Sequence, residues 1–256
     1  MPPKQRLDQL LVQRGLAESR ENAQRLILAG KVTVNGIPVS KAGHPVKEGE
    51  EVGVTEGFKF TSRGGFKLEA ALIEFKLDVT GKIAIDIGAS TGGFTDCLLQ
   101  RNAQKVYCID VGYGQLAWRL RHDPRVKVME RTNARYLKRE SFAEKIDLAV
   151  IDVSFIGAHK ILDPLTEITD EAVLLLKPQF EAGPADVPRG GIIKDPAVHK
   201  RVLMDFFHQS KSWQIHGLTN SPLLGGSGNR EFLVHLRKES GWTEEYMVLR
   251  VEELMR

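Results

Sequence analysis

The stretch that decides the fold runs from Ile85 to Asp96 and reads IDIGASTGGFTD. An apolar β pattern leads into a glycine-rich turn, and the turn leads into a segment with helical spacing. Apolar runs of strand length recur along the chain at residues 83–87, 105–111, 126–130, 146–153 and 172–177. Helix-length segments separate most of these runs. Such alternation is typical of a doubly wound, chiefly parallel sheet.

The C-terminal part of the chain departs from this alternation. Residues 213–221 and 231–237 are strand-like runs that the glycine-rich segment 223–228 joins, which predicts an antiparallel hairpin at the sheet edge. Methyltransferases with a Rossmann-like sheet end in this way, whereas ordinary dinucleotide-binding domains do not. The predicted fold class is therefore α/β, with a seven-stranded sheet that resembles the Rossmann-like methyltransferase type and a C-terminal antiparallel hairpin.

The N-terminal residues follow a different pattern. Helical spacing predicts a helix over 7–15 and a second helix that begins at Ser19 and ends at Gly30. Two β-rich pieces then flank Asn35-Gly36, which is a strong hairpin signal. A third strand, expected at 51–54, would complete a compact α+β module.

These patterns divide the chain into a small domain over 1–54, a linker over 55–65 and an α/β domain over 66–256. Positive charge concentrates at the front, because residues 1–47 carry eight Lys or Arg against three Asp or Glu, which leaves the rest at −2. This excess favours a polyanionic partner. Solvated surface charge is the alternative interpretation.

The N-terminal module resembles the RNA-binding domain named after ribosomal protein S4. The resemblance lies in Arg6-Leu7-Asp8, Ser19-Arg20, Ala23, Ile27, Gly30 and the stretch 32–36. It implies that a basic face holds the phosphates of a structured RNA without reading its sequence. The candidate RNA-binding residues are Lys4, Arg6, Arg20, Arg25, Lys31 and, before the second domain, Arg63. An incidental subdomain without a ligand is the alternative.

The glycine-rich turn is a candidate cofactor site, because open α/β sheets bind ligands at the carboxyl ends of their strands. Its acidic Asp86 suits a cationic methionine moiety better than a pyrophosphate. Asp110 follows 24 residues later, where a carboxylate binds the ribose hydroxyls of an adenosine cofactor. The sequence thus predicts a site for S-adenosylmethionine. Its candidate residues are Asp86, Gly88, Ser90, Thr91, Gly92, Gly93, Asp110, Asn133 and Asp152.

The same turn also matches another motif. Residues 88–92 fit the G-x-S-x-G pattern of α/β hydrolases, with Asp152 and either His199 or His235 in the required chain order. No HGGG-type oxyanion segment accompanies it, and a hydrolase would leave Asp86 and Asp110 without a role. The cofactor interpretation is therefore preferred.

Four further ionisable residues, Lys67, Asp152, Lys177 and Glu231, fall at predicted strand or helix ends. Each taken singly is more simply a surface charge or a strand-end cap. As a set, their order and context resemble the tetrad of FtsJ-type ribose 2'-O-methyltransferases. With the N-terminal module they resemble the TlyA family, whose members are named both as hemolysins and as ribosomal RNA methyltransferases.

The resemblance implies a cytoplasmic enzyme that methylates a ribose 2'-hydroxyl of ribosomal RNA, alone or within ribosomal subunits, with these four residues as catalytic groups. It gives Lys177 the role of base. A lysine is mostly protonated at neutral pH. Lys67 and the cofactor's positive charge disfavour a second ammonium, whereas Asp152 and Glu231 favour it. Alternatively, protonated Lys177 orients the hydroxyl and Asp152 accepts the proton.

Other functions are weighed against this one. A catalytically idle RNA-binding protein would not need Asp86 or Lys177, and a membrane-lytic protein would need a spanning or lytic helix, which the sequence does not predict. Base methylation is less favoured, since residues 152–155 read DVSF rather than the Asn-Pro-Pro-Tyr type. No metal is expected, because the histidines and the two cysteines, Cys97 and Cys108, lack ligand spacing. Residues 181–196, around Arg189-Gly190-Gly191, are either a substrate-gating loop or a plain surface loop.

Overall fold

The computed structural model describes residues 5–28, 30–54, 59–210 and 212–256, and the chain separates into two compact units, Met1–Phe60 and Thr61–Arg256. The elements of the first unit are β1 (Gln5–Arg6), α1 (Leu7–Gln13), α2 (Arg20–Leu28), β2 (Val32–Val34), β3 (Ile37–Pro38), β4 (Pro45–Val46) and β5 (Val52–Val54). Within the described ranges, none of the helices combines the length and the hydropathy that a membrane-spanning segment requires.

The first unit matches the predicted helix pair and hairpin. β2 pairs antiparallel with both β3 and β5, and the turn between β2 and β3 has positive φ at Asn35 (51°) and Gly36 (76°). Two positive φ angles are what the favoured two-residue hairpin turn requires. The small sheet and both helices share one apolar cluster. The separate pairing of β1 with β4 was not predicted, because two-residue strands leave no alternation to detect.

The second unit contains the large sheet. Its elements are α3 (Gly64–Glu74), β6 (Ile83–Ile87), α4 (Gly93–Gln100), β7 (Lys105–Ile109), α5 (Trp118–Arg121), β8 (Val126–Met129), β9 (Leu148–Ile151), α6 (His159–Leu165), β10 (Glu171–Leu176), α7 (Pro178–Glu181), α8 (Pro196–Gln209), β11 (Gln214–Asn220), β12 (Phe232–Arg237) and α9 (Glu244–Met255). α3 begins at Gly64, two residues before the predicted start of the α/β domain at residue 66.

The seven strands lie in the order β11-β12-β10-β9-β6-β7-β8. β10, β9, β6, β7 and β8 are parallel, whereas β12 runs antiparallel to both β10 and β11. The predicted α/β class and the C-terminal antiparallel hairpin are confirmed. β9 and β10 are almost entirely buried, as expected of strands that helices cover on both faces.

The order of the strands reverses between β6 and β9, both of which leave the sheet at the same edge. In open α/β sheets a crevice forms at such a reversal, outside the carboxyl ends of the strands. β6 ends at Ile87 and β9 ends at Ile151, so the segments that follow them, with Gly88 and Asp152, face this crevice. The topology thus brings two predicted site segments together.

Candidate active site

The loop after β6 lies directly against the chain after β9. Gly88 has φ of +80°, and a Cβ atom placed there would lie 2.3 Å from the carbonyl oxygen of Asp152. Only glycine tolerates both conditions. The backbone nitrogen of Asp152 also donates to the carbonyl of Ile87. The turn therefore forms one wall of the crevice with its backbone alone.

Asp86 is the next-to-last residue of β6, beneath this loop, and is fully buried. One carboxylate oxygen accepts hydrogen bonds from the backbone and the hydroxyl of Thr95, at 2.9 and 2.6 Å, which fixes the start of α4. The other oxygen, Oδ1, has no hydrogen-bond partner among the described residues. Burial raises the pKa of Asp86 to about 7, and the nearby charges of Asp152 and Asp110 add to the increase.

Asp110 follows β7 and turns its carboxylate back toward the loop. Its two oxygens accept hydrogen bonds from the backbone of Ser90 at 2.8 Å and of Gly112 at 2.7 Å. On the next connection, the Asn133 side chain accepts a hydrogen bond from the backbone of Arg135. These local bonds hold both polar side chains in place at the carboxyl edge of the sheet.

A cavity of about 490 Å³ opens between these connections. Five of the nine predicted cofactor residues line it: Gly88, Ser90, Asp110, Asn133 and Asp152. Its volume lies within the range of small-molecule sites. A carboxylate on the ribose side, a glycine that admits close approach and an unpartnered buried carboxylate oxygen fit a cationic adenosine cofactor.

The other predicted cofactor residues lie outside the cavity walls. Asp86 is beneath the loop, and Thr91 is exposed on its outer side. Gly92 and Gly93 are buried, and a Cβ atom on Gly93 would lie 2.2 Å from the Ser62 hydroxyl. These two glycines permit the close packing of α4 rather than lining the cavity.

The four predicted catalytic residues form two ion pairs. Lys67 Nζ lies 2.5 Å from the Glu231 carboxylate, and both side chains are buried. Lys177 Nζ lies 2.6 Å from the Asp152 carboxylate and donates a second hydrogen bond to the Ser154 hydroxyl at 3.0 Å. The two ion pairs place two positive and two negative charges at this edge of the sheet, and these four charges sum to zero.

Strand register explains why these distant residues meet. In the antiparallel pairing of β10 and β12, Leu176 lies opposite Phe232, so Lys177 and Glu231 occupy the next facing positions. The parallel pairing of β9 with β10 places Ile151 opposite Leu174, which brings Asp152 to the same edge. Glu231 thus lies one residue before β12, rather than within the strand as predicted. Lys67 reaches it from the first turns of α3.

The hydrolase triad is not assembled. The Ser90 hydroxyl lies 3.3 Å from the Gln115 side chain. His235 contacts Glu171, which begins β10 at the opposite edge of the sheet, and His199 packs edge-on against Phe232. Neither histidine therefore takes the place of a base for Ser90.

The predicted RNA-binding residues of the first unit are partly organised by an acid. Asp8 is completely buried and accepts hydrogen bonds from Arg6, Arg20 and Gln24. The Arg6 guanidinium holds the pKa of Asp8 well below its usual range. Both arginine side chains remain about half exposed, at 48% and 54%.

The remaining members of that set lie apart from this cluster. Arg25 and Lys31 are exposed on the first unit, and Arg63 is partly exposed, one helical turn before Lys67 in the second. Lys4 lies outside the described residues.

Sequence reasoning missed two polar residues of the site. Ser154 accepts a hydrogen bond from Lys177, and Asn229 is fully buried with both ends of its amide bonded to the 191–193 segment. Serine and asparagine beside glycines ordinarily indicate turns. Their positions relative to Asp152 and Glu231, two residues away in each case, were the only available signal.

The model of the FtsJ-like methyltransferase family matches residues 60–238. This chain belongs to the FtsJ-like methyltransferase family. The S4 domain model matches residues 5–52, so this methyltransferase carries an S4 domain at its front. The donor used by the family, S-adenosylmethionine, is the cofactor predicted from the sequence, and the cavity fits it.

Relatives of this FtsJ-like methyltransferase span nearly its whole length. YqxC of Bacillus subtilis is 48% identical over 99% of this chain and 92% of its own. The 16S/23S rRNA (cytidine-2'-O)-methyltransferase TlyA of Mycobacterium tuberculosis is 43% identical over 94% of this chain and 92% of its own. Hemolysin A of Brachyspira hyodysenteriae is 42% identical over 90% of this chain and 98% of its own. The TlyA resemblance noted in the sequence is confirmed.

A solved structure agrees with this membership. A protein from Streptococcus thermophilus that bears the hemolysin name is 42% identical to this methyltransferase. The alignment covers 100% of this chain and 95% of that one, with a TM-score of 0.75.

Proposed function

We propose that this methyltransferase transfers a methyl group to a ribose 2'-hydroxyl of ribosomal RNA. The observation that carries the proposal is the meeting of two lysines and two acids at the sheet edge beside the cofactor cavity. The relative from Mycobacterium tuberculosis, named as a cytidine-2'-O-methyltransferase of ribosomal RNA, supports the substrate class.

The walls of the cavity between the β6, β7 and β9 connections would hold the cofactor. S-adenosylmethionine supplies, when bound, a methyl group on a positively charged sulfur. Asp110 would accept hydrogen bonds from its ribose hydroxyls, Asn133 would flank its adenine, and the backbone at Gly88 would lie against it. Asp86 is buried beneath the Gly88 loop, and the positive charge of a bound sulfonium would favour its ionised form.

Lys177 acts as a positioning cation for the ribose hydroxyl. An ammonium group has three hydrogens, and two of them are engaged with Asp152 and Ser154. The third is available to the incoming hydroxyl oxygen. Because this arrangement makes Lys177 a donor, we assign acceptance of the hydroxyl proton to Asp152.

Lys67 and Glu231 support this arrangement from the other side. Their ion pair is buried, so both charges keep a fixed position. Glu231 faces Lys177 across the β10–β12 pairing, and it balances the charge of Lys67 beside it. We propose that this pair fixes the orientation of the hydroxyl relative to the methyl group, since in-line displacement depends on alignment.

The S4 domain recruits the RNA. We propose that residues 1–54 form this module, that 55–65 link it to the catalytic domain over 66–256, and that Arg6, Arg20, Arg25, Lys31 and Arg63 contact phosphates. Lys4, which lies outside the described residues, belongs to the same proposed set. Asp8 orients Arg6 and Arg20 without removing them from solvent. Phosphate contacts of this kind give affinity and register rather than sequence specificity.

We propose that the partner is a ribosomal subunit or its RNA and that the protein acts in the cytoplasm. A methylation assay tests the partner directly. Purified full-length protein is incubated with methyl-labelled S-adenosylmethionine and, separately, with small subunits, large subunits and protein-free ribosomal RNA. Mass spectrometry of nuclease digests then locates the methyl group. We expect it on a ribose 2'-oxygen, and no transfer by Lys177→Ala.

Two outcomes would contradict the proposal. Methyl groups found on bases would reject the ribose assignment, and absence of transfer to every RNA sample would reject the substrate. Exposure of red cells to the same preparation tests the activity to which the hemolysin name refers.

A further inference from the structure

The segment after α7 ends in a tight turn that is anchored close to the proposed active site. The backbone nitrogen of Gly191 donates to the carbonyl of Pro188 at 2.7 Å, and Gly191 has φ of +68°. Arg189 and Gly190 form the exposed tip of this turn, whereas Ile193, just beyond it, is 3% exposed. The tip therefore projects from a buried base.

A single buried side chain holds this turn. Asn229 is 0% exposed; its oxygen accepts from the Ile193 backbone at 2.9 Å, and its nitrogen donates to the Gly191 carbonyl at 2.7 Å. Both ends of the amide are thus satisfied by one short segment, at Gly191, which closes the turn, and at Ile193, two residues beyond it. An unpaired buried amide would be costly, so this arrangement fixes the turn.

The same anchor belongs to the strand entry that carries Glu231. Asn229 precedes Glu231 by two residues, and its carbonyl accepts from the backbone of Gly225 at 2.8 Å. Gly225 in turn packs on the Glu231 carboxylate, because a Cβ atom there would lie 2.4 Å from it. The turn at 188–191, the glycine-rich turn and Glu231 are therefore connected through buried contacts.

Among the cationic side chains near the active site, Arg189 on the 188–191 turn is available to bind an anion. Lys67 and Lys177 are both neutralised by carboxylates. No ion pair engages Arg189 within the part of the chain that the structure describes, and its side chain is exposed. An RNA strand that brings a ribose to Lys177 also brings the phosphates that flank that ribose. A guanidinium binds phosphate through two parallel hydrogen bonds.

We propose that Arg189 binds a backbone phosphate next to the target ribose, and that Asn229 is the residue that positions Arg189 for this contact. The inference rests on the proposed function, since it requires an RNA substrate in the site. It adds to the catalytic domain its own phosphate contact, which aligns the strand at the reacting ribose.

The test measures methylation of the ribosomal RNA substrate by full-length variants over a range of KCl concentrations. Arg189→Ala should raise KM for RNA about tenfold, because it removes a charge-assisted hydrogen bond. It should also reduce the slope of log KM against log salt by about 1. The dissociation constant for S-adenosylmethionine and the melting temperature should not change.

The matched control is Arg237→Ala, which removes an exposed arginine at the opposite end of β12, where Arg237 lies opposite Glu171. Its KM for RNA should equal that of the wild type. Equal KM values and salt slopes for Arg189→Ala and Arg237→Ala would overturn the phosphate contact.

The positioning role of Asn229 is tested by a double-mutant cycle. Asn229→Asp keeps the acceptor for Ile193 and loses the donor to Gly191, so Arg189→Ala should cost much less in that background than in the wild type. Insertion of two glycines after Gly190 loosens the tip without changing Asn229 and should have the same effect. Full additivity in both backgrounds would overturn the positioning role.

The two levels of inference fail differently. If the wild-type protein transfers no methyl group to ribosomal RNA, the proposed function and this contact fall together. If the wild type is active and Arg189→Ala matches it, only the contact is rejected.

Discussion

Lys67 and Glu231 form a buried ion pair, at 2.5 Å, although 164 positions separate them in the chain. One side chain comes from the start of α3 and the other from the residue before β12. Because both are removed from solvent, neither charge is stable there without the other. The pair therefore links the packing of α3 beside β12 to the assembly of the site.

This coupling predicts different effects for single and double replacements. Glu231→Ala leaves a buried lysine unpaired and should reduce the free energy of unfolding by about 3 kcal/mol. Lys67→Met combined with Glu231→Leu should recover most of that loss, while methyl transfer stays absent. Chemical denaturation and initial rates measure the two properties. A double variant no more stable than Glu231→Ala would contradict the prediction.

The role of Lys177 is resolved by two substitutions. Lys177→Ala should abolish methyl transfer and leave cofactor affinity within about twofold, because the side chain does not line the cofactor cavity. Lys177→Arg keeps a cation that donates hydrogen bonds and should retain measurable turnover if Lys177 orients the hydroxyl. Complete inactivity of Lys177→Arg with normal cofactor binding would favour Lys177 as the base instead.

Asp86 makes stability depend on pH. Its pKa in the folded protein is about 7, above the ordinary 3.8, so the folded state binds a proton more tightly than the unfolded state does. The stabilisation from this proton is complete below about pH 4 and is lost as the pH rises through 7. Asp86→Asn should therefore raise the melting temperature relative to the wild type more at pH 8 than at pH 5.

Each tenfold change in proton affinity is worth about 1.4 kcal/mol, so this effect is on the order of a few kcal/mol at most. Asparagine retains an acceptor for Thr95, which keeps the comparison clean. A difference in melting temperature that does not vary between pH 5 and pH 8 would contradict the prediction.

Gly88 should tolerate no side chain. Gly88→Ala introduces a Cβ atom 2.3 Å from the Asp152 carbonyl at a φ of +80°, so the loop must move. We expect loss of cofactor binding by calorimetry and a lower melting temperature. Gly226→Ala is the control, since nothing lies within 4 Å of its Cβ position. A Gly88→Ala protein with unchanged cofactor affinity would contradict the proposed cavity wall.

The sequence was sufficient for the layout of the sheet. Apolar runs of strand length located all seven strands, and the glycine-rich segment 223–228 marked the hairpin. The ends were less accurate: the predicted strand over 146–153 is β9 at Leu148–Ile151, although Ile146 before it is fully buried. Hydrophobic pattern reports burial, whereas hydrogen bonding to neighbours sets where a strand ends.

The site was predicted as a set of residues and not as a geometry. Chain order suggested Lys67, Asp152, Lys177 and Glu231, but which lysine pairs with which acid depends on strand register. Asn229 could not be found, because a buried asparagine that holds another loop has the same local sequence as one in an exposed turn.

The antiparallel pairing of β12 with β10 fixes the location of Glu231 through the number of residues in β12. Side chains alternate between faces along a strand, so one residue inserted between Phe232 and Arg237 would carry the carboxylate to the opposite face of the sheet. An insertion at the tip of the preceding glycine-rich turn would leave that parity intact. Natural length variation in this hairpin should therefore be confined to the turn, and the six residues of β12 should admit substitutions but neither gains nor losses.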